Sequence, residues 1–93
     1  MQWYRIKKIC PKSGLYKPVH RSMQNRLCQI VYIQIGKNGL LRVDVGDQLI
    51  GPHRIVISKV LCISGAEEDD KITIETENTV YHLEKCYDKP LKN

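Results

Sequence analysis

Apolar residues in this chain recur at every second position in short runs cut by turn formers, and no segment carries the spacing of an amphipathic helix. Trp3 to Ile9 alternates, with Tyr4 and Ile6 on one face and Arg5 and Lys7 on the other. Residues 10–26 read as a long loop marked by Pro11, Gly14 and Pro18, in which 21–26 can close one helical turn. Two apolar runs, 27–35 and 40–45, then flank Gly36-Lys37-Asn38-Gly39. Residues 46–54 form a connection whose turn signal is Gly51-Pro52, followed by a β-rich run from Ile55 to Ile63 and a polar turn over 64–70. Residues 71–76 and 79–84 flank Glu77-Asn78.

About six strands in 93 residues would leave long unpaired edges unless the sheet closes. The expected fold is therefore all-β, a six-stranded meander closing into an SH3-like barrel with a long loop after the first strand. An OB-like barrel is the alternative, but it usually carries a helix between strands. One domain over 1–88 and a tail over 89–93 are expected.

Both hairpins can be registered on paper. A three-residue loop Lys37-Asn38-Gly39, with Gly39 left-handed, would set Ile35 against Leu41, Ile33 against Val43 and Val31 against Val45. Gln34 would then oppose Arg42, and Tyr32 would oppose Asp44, on the polar face. A two-residue turn at Glu77-Asn78, with Asn78 at positive φ, pairs Ile74 with Tyr81 and Ile72 with Leu83 inside. It pairs Lys71 with Glu84 and Thr73 with His82 outside.

Charge is distributed unevenly. Residues 1–43 hold nine Lys and Arg and no carboxylate, whereas 44–93 hold six basic and ten acidic residues, for a net charge of +5. An anionic partner for one side of the molecule follows, provided that the two halves do not interleave in space. The loop 10–26 concentrates the signal. Lys12, Lys17, His20, Arg21 and Arg26, with Tyr16 among them, suit phosphate contacts and base stacking, and Arg42 joins them as an anion-binding candidate. Tyr32 is a second stacking platform. The competing reading is a solubilising loop packed by Leu15, Tyr16 and Val19.

No catalytic or metal motif stands out. Cys10, Cys28, Cys62 and Cys86 lack the close pair of a structural zinc site, although Cys10 and Cys86, at strand ends, could meet. The acidic run 67–70 lacks the alternating ligands of a calcium loop. Nucleophile and phosphate-loop motifs are missing, which leaves only a toxin-like ribonuclease using His20, His53 and arginines as an enzymatic alternative. No cofactor and no metal are expected. No apolar run reaches the roughly 18–20 residues that span a bilayer, and the N-terminus lacks a signal-peptide core, so a cytoplasmic chain with reduced thiols and no membrane partner is expected.

The expected function is a non-enzymatic binding module whose partner is nucleic acid or a nucleoprotein. From Arg54-Ile55-Val56-Ile57-Ser58 through Ile72-Thr73-Ile74-Glu75-Thr76 to Asn78-Thr79-Val80-Tyr81-His82-Leu83, the chain resembles short β-proteins of phages and mobile elements in Gram-positive bacteria. That resemblance implies an accessory role, such as inhibiting bacterial defence by binding a protein target or sequestering a nucleotide, and it transfers no functional residue. The registers also leave Ile30, Val56 or Ile57, Val60 and Val80 on the outer face, an apolar patch suited to a homodimer unless the long loop covers it.

Overall fold

The computed structural model describes residues 2–12, 23–46, 49, 51–65 and 69–87. The β-branched and aromatic runs form β1 (Trp3–Pro11), β2 (Leu27–Tyr32), β3 (Asn38–Val43), β4 (His53–Ser64), β5 (Lys71–Thr76) and β6 (Thr79–Cys86). All neighbours are antiparallel and follow chain order, and β6 returns to β1, so the sheet is a closed six-stranded barrel. It is the small SH3-like or OB-like barrel that the strand pattern implies. The 12-residue β4 closes it by bending: His53–Lys59 pairs with β3 and Val60–Ser64 with β5, with a bulge between Val60 and Cys62.

Inward positions build one core from Tyr4, Ile6, Ile9, Met23, Cys28, Leu41, Val43, Ile57, Val60, Ile72, Ile74, Tyr81 and Leu83. Each large aliphatic sealed there contributes about 1.5–3 kcal/mol of transfer free energy. Burial also pushes the Cys28 thiol up to about 12, because a thiolate would lose its hydration.

The last hairpin has the expected register: Lys71–Glu84, Ile72–Leu83, Thr73–His82 and Ile74–Tyr81 are partners. Its turn is built differently, because the sole positive-φ residue other than glycine among the described residues is Asn25, not Asn78. Thr76 fastens it instead. The buried hydroxyl donates to the Thr79 carbonyl (2.9 Å) and accepts the Thr79 and Asn78 amides (3.0 and 3.3 Å).

The first hairpin corrects the sequence reading. Cys28 opposes Val43, Gln29 opposes Arg42 and Ile30 opposes Leu41, and after a bulge Tyr32 opposes Leu40. Over Cys28–Ile30 this register differs from the expected one by an odd number of residues, which exchanges the faces of that stretch; past the bulge the difference is even, and Tyr32 stays outward and Ile33 toward the core as expected. Cys28 and the half-buried Ile30 point inward, while Val31 is exposed. The reason lies in β4. Where that strand leaves β3 for β5, Gly36 donates to the Val60 carbonyl (2.8 Å) and the Val60 amide donates to Lys37 (2.9 Å). Residues 33–37 are thus held as a long connection that supplies the partners the bend requires, at the cost of leaving Ile35 62% exposed. Gly36 takes the left-handed conformation (φ 90°) and Gly39 sits inside β3 against Ile57.

The expected outer apolar patch changes with the register. Ile57 and Val60 are sealed in the core, Ile30 packs against it and Val80 is half-buried; of the named set only Val56 is exposed.

Candidate anion-binding face

Consecutive strands pair consecutively, so β1, β2 and β3, which carry the basic half of the chain, are adjacent. The register then sets one row across four strands on the outer face. Trp3 pairs with Gln29, Gln29 with Arg42, and Arg42 with Arg54. Barrel strands tilt about 35–45° to the axis, so a row perpendicular to them climbs the barrel as it turns, and its two arginines, on the adjacent strands β3 and β4, are immediate neighbours. The row spans three strand spacings, about 14 Å.

Like charges directly opposite on neighbouring strands destabilise a sheet. Arg42 and Arg54 are such a pair. Arg42 is half-buried, and its Nη1 donates to Oε1 of the buried Gln29 at 3.3 Å. Arg54 is exposed, and its side chain has no hydrogen-bond or ion-pair partner among the described residues. Asp44 lies two positions from Arg42 along the chain, where its carboxylate accepts the Gly46 amide at 2.9 Å. A second row runs beside the arginines: Tyr32 pairs with Leu40, and Leu40 with Val56. The bulge next to Tyr32 exposes both Val31 and Tyr32, and Val56 is 65% exposed. The Tyr32 hydroxyl is held by Gln34 Oε1. On β1, Arg5 continues the outer stripe from Trp3 and donates to the Asn25 carbonyl at 2.8 Å.

The residues chosen from sequence are not one cluster. Arg42 is central to the face. Arg26 is exposed just before β2, anchored by its carbonyl accepting the Ile6 amide at 2.9 Å. Lys12 lies apart, at the far end of β1, where its Nζ pairs with Glu75 Oε2 at 2.6 Å. Tyr16, Lys17, His20 and Arg21 lie outside the described residues. Sequence reasoning missed Gln29 and Arg54 as neighbours of Arg42, and Trp3 as the neighbour of Gln29. The turn signal Gly51-Pro52 places Arg54 in a connection, yet it shares the parity of Val56 and extends the same alternating run by one residue.

A separate cleft of about 480 Å³ opens at the seam of β1 and β6, lined by Arg5, Lys7, Glu84, Lys85, Cys86 and Tyr87. The Tyr87 hydroxyl donates to Asp70 at 3.0 Å, and that bond, with the negative charge, raises its pKa. Cys10 and Cys86 sit at opposite ends of the β1–β6 ladder, opposite Val80 and Trp3. None of the four cysteines forms a disulfide, and no group of three or more His, Cys, Asp or Glu converges on a metal position among the described residues. His53 Nε2 is buried without a partner among those residues, and His82 meets Thr73 on the outside of β6. No helix among them is long and apolar enough to cross a membrane. Comparison of the chain with protein-family models, with curated proteins and with solved structures finds no match.

Proposed function

We propose that this barrel is a binding module for nucleic acid, alone or within a nucleoprotein, and that it binds through the outer face of β1–β4. The observation that carries the reading is the Trp3–Gln29–Arg42–Arg54 row, with its two directly opposed arginines and no carboxylate within it. An isolated fold gains nothing from such a pair, whereas phosphates would neutralise both guanidinium groups. Chemistry on the ligand is not part of the proposal, since nothing on this face pairs a nucleophile with a base.

The test is affinity against salt. Each phosphate contact contributes about 0.7–0.9 to the slope of log K against log salt. The variant Arg42→Gln/Arg54→Ala should weaken binding and flatten that slope by about 1.4–1.8. Undetectable binding to DNA and RNA at about 50 mM salt would overturn the proposal. The β1–β6 cleft favours a second reading, an inhibitor of the phage or mobile-element kind that sequesters a small nucleotide on Arg5, Lys7 and Lys85. Calorimetry with mononucleotides separates the two: saturable heat abolished by Lys7→Gln/Lys85→Gln selects the cleft.

A further inference from the structure

We infer that the ligand of the β1–β4 face is a single strand rather than a duplex; this rests on the nucleic-acid reading above. The observation is the pairing of two unlike rows on one surface. Arg42 and Arg54 lie two residues along their strands from Leu40 and Val56, so the cationic row and the apolar row run side by side about 7 Å apart. Tyr32 extends the apolar row onto β2, and Trp3 ends the cationic row on β1.

A duplex offers this surface only half of what it needs. Its phosphates would meet the arginines, but its bases are paired and stacked away from the protein, so Tyr32, Leu40 and Val56 would face sugars and water. Reading a duplex from its major groove takes a helix or a two-stranded ribbon inserted into it. The rows lie instead on the outer face of a closed barrel. A single strand has charge along one side and unpaired, apolar base faces along the other. The offset of the two rows matches the reach from a phosphate across its sugar to its base. Stacking is tolerant of base identity, because every base has a π-face. The site therefore selects strandedness and is indifferent to sequence.

The exposures agree with this assignment. Of the aromatic side chains in the described residues, Tyr4 and Tyr81 are sealed in the core, Tyr32 is 42% exposed on the apolar row, Trp3 is half-buried at the end of the cationic row, and Tyr87, 78% exposed, lines the β1–β6 cleft and is engaged there by Asp70. Trp3 is the chain's one tryptophan, so its emission reports occupancy of this face without a label.

The experiment titrates the protein with oligo-dT and oligo-U of about 12 nucleotides and with a duplex of the same length, at about 50 and 200 mM salt, following Trp3 emission and the anisotropy of a labelled strand. Either single strand should bind at least about tenfold tighter than the duplex and perturb the emission; DNA and RNA arms show which sugar is preferred, and tight binding to either supports the inference. Tyr32→Ala should cut single-strand affinity by about fivefold to a hundredfold, leaving the salt slope and the duplex affinity unchanged. Both Tyr32 and Arg54 are exposed, so their variants keep the fold, which melting curves verify. Duplex binding as tight as single-strand binding, or a Tyr32→Ala variant that weakens both alike, overturns the inference and leaves the nucleic-acid reading standing. Binding to none of the three overturns both.

Discussion

Gly39→Ala should destabilise the barrel, chiefly because of Ile57. Gly39 lies in β3 without a positive φ, so its backbone would accept a side chain. Space is the obstacle. A Cβ at Gly39 would stand 2.8 Å from Ile57 Cγ1, 2.9 Å from its Cδ1 and 3.3 Å from Ile33 Cγ2. Ordinary carbon contacts lie near 3.5–4.0 Å, so Ile57 would have to move by about 0.6–1 Å. It is 1% exposed and cannot swing outward. Overpacking of this kind costs about 1–3 kcal/mol, or about 4–8 °C of melting temperature per kcal/mol in a domain this size. A double-mutant cycle read by urea melts isolates the cause. Ile57→Ala alone costs about 2–5 kcal/mol, and in that background Gly39→Ala should become neutral, or stabilising by about 0.4–1 kcal/mol, because alanine restricts the unfolded chain. A penalty that persists undiminished in the Ile57→Ala background would refute the Gly39–Ile57 pairing and restore a left-handed Gly39 in the hairpin loop. Stabilisation by Gly39→Ala in the native background would refute the packing argument itself.

Three further outcomes follow from particular contacts. Thr76→Val should cost about 1–3 kcal/mol in chemical denaturation by leaving the buried Thr79 amide and carbonyl short of the hydroxyl, whereas Thr76→Ser should recover most of it. Between the ordinary thiol value of 9.0 and about 12, the unfolded chain ionises Cys28 while the folded chain keeps it protonated, so the folded state binds more protons. This group's contribution to stability is therefore lost as pH rises, by about 1.4 kcal/mol per unit within that window, and comparing denaturation of the native chain and Cys28→Ala across it should show the difference in slope. Arg54→Ala should stabilise the free protein by about 0.2–1 kcal/mol at low salt, a gain that fades at high salt while nucleic-acid affinity falls; a loss of stability would mean that the opposed arginines are structural.

What the sequence determined by itself is clearest at the β5–β6 hairpin. A two-residue turn leaves no slack, and Ile72 and Ile74 have only Leu83 and Tyr81 to meet inside, so alternation alone selects the pairing. Closure was equally legible, because six short strands have no other way to cover their edges. At β2 the same logic failed. From Ile30 to Ile35 apolar residues occupy both parities, so either face could be buried and local pattern cannot choose between registers. The choice is made by Val60, distant in sequence, whose backbone captures Gly36 and Lys37 where β4 bends from one neighbour to the next. That capture shifts Cys28–Ile30 by an odd number of residues, turns Gln29 outward and sets Arg42 beside both Gln29 and Arg54, while the bulge keeps Tyr32 on the outer face. The residue types of the candidate face were present in the sequence, but their adjacency came from the tertiary structure. Side chains on three strands become neighbours only once long-range backbone hydrogen bonds have decided how the strands are aligned.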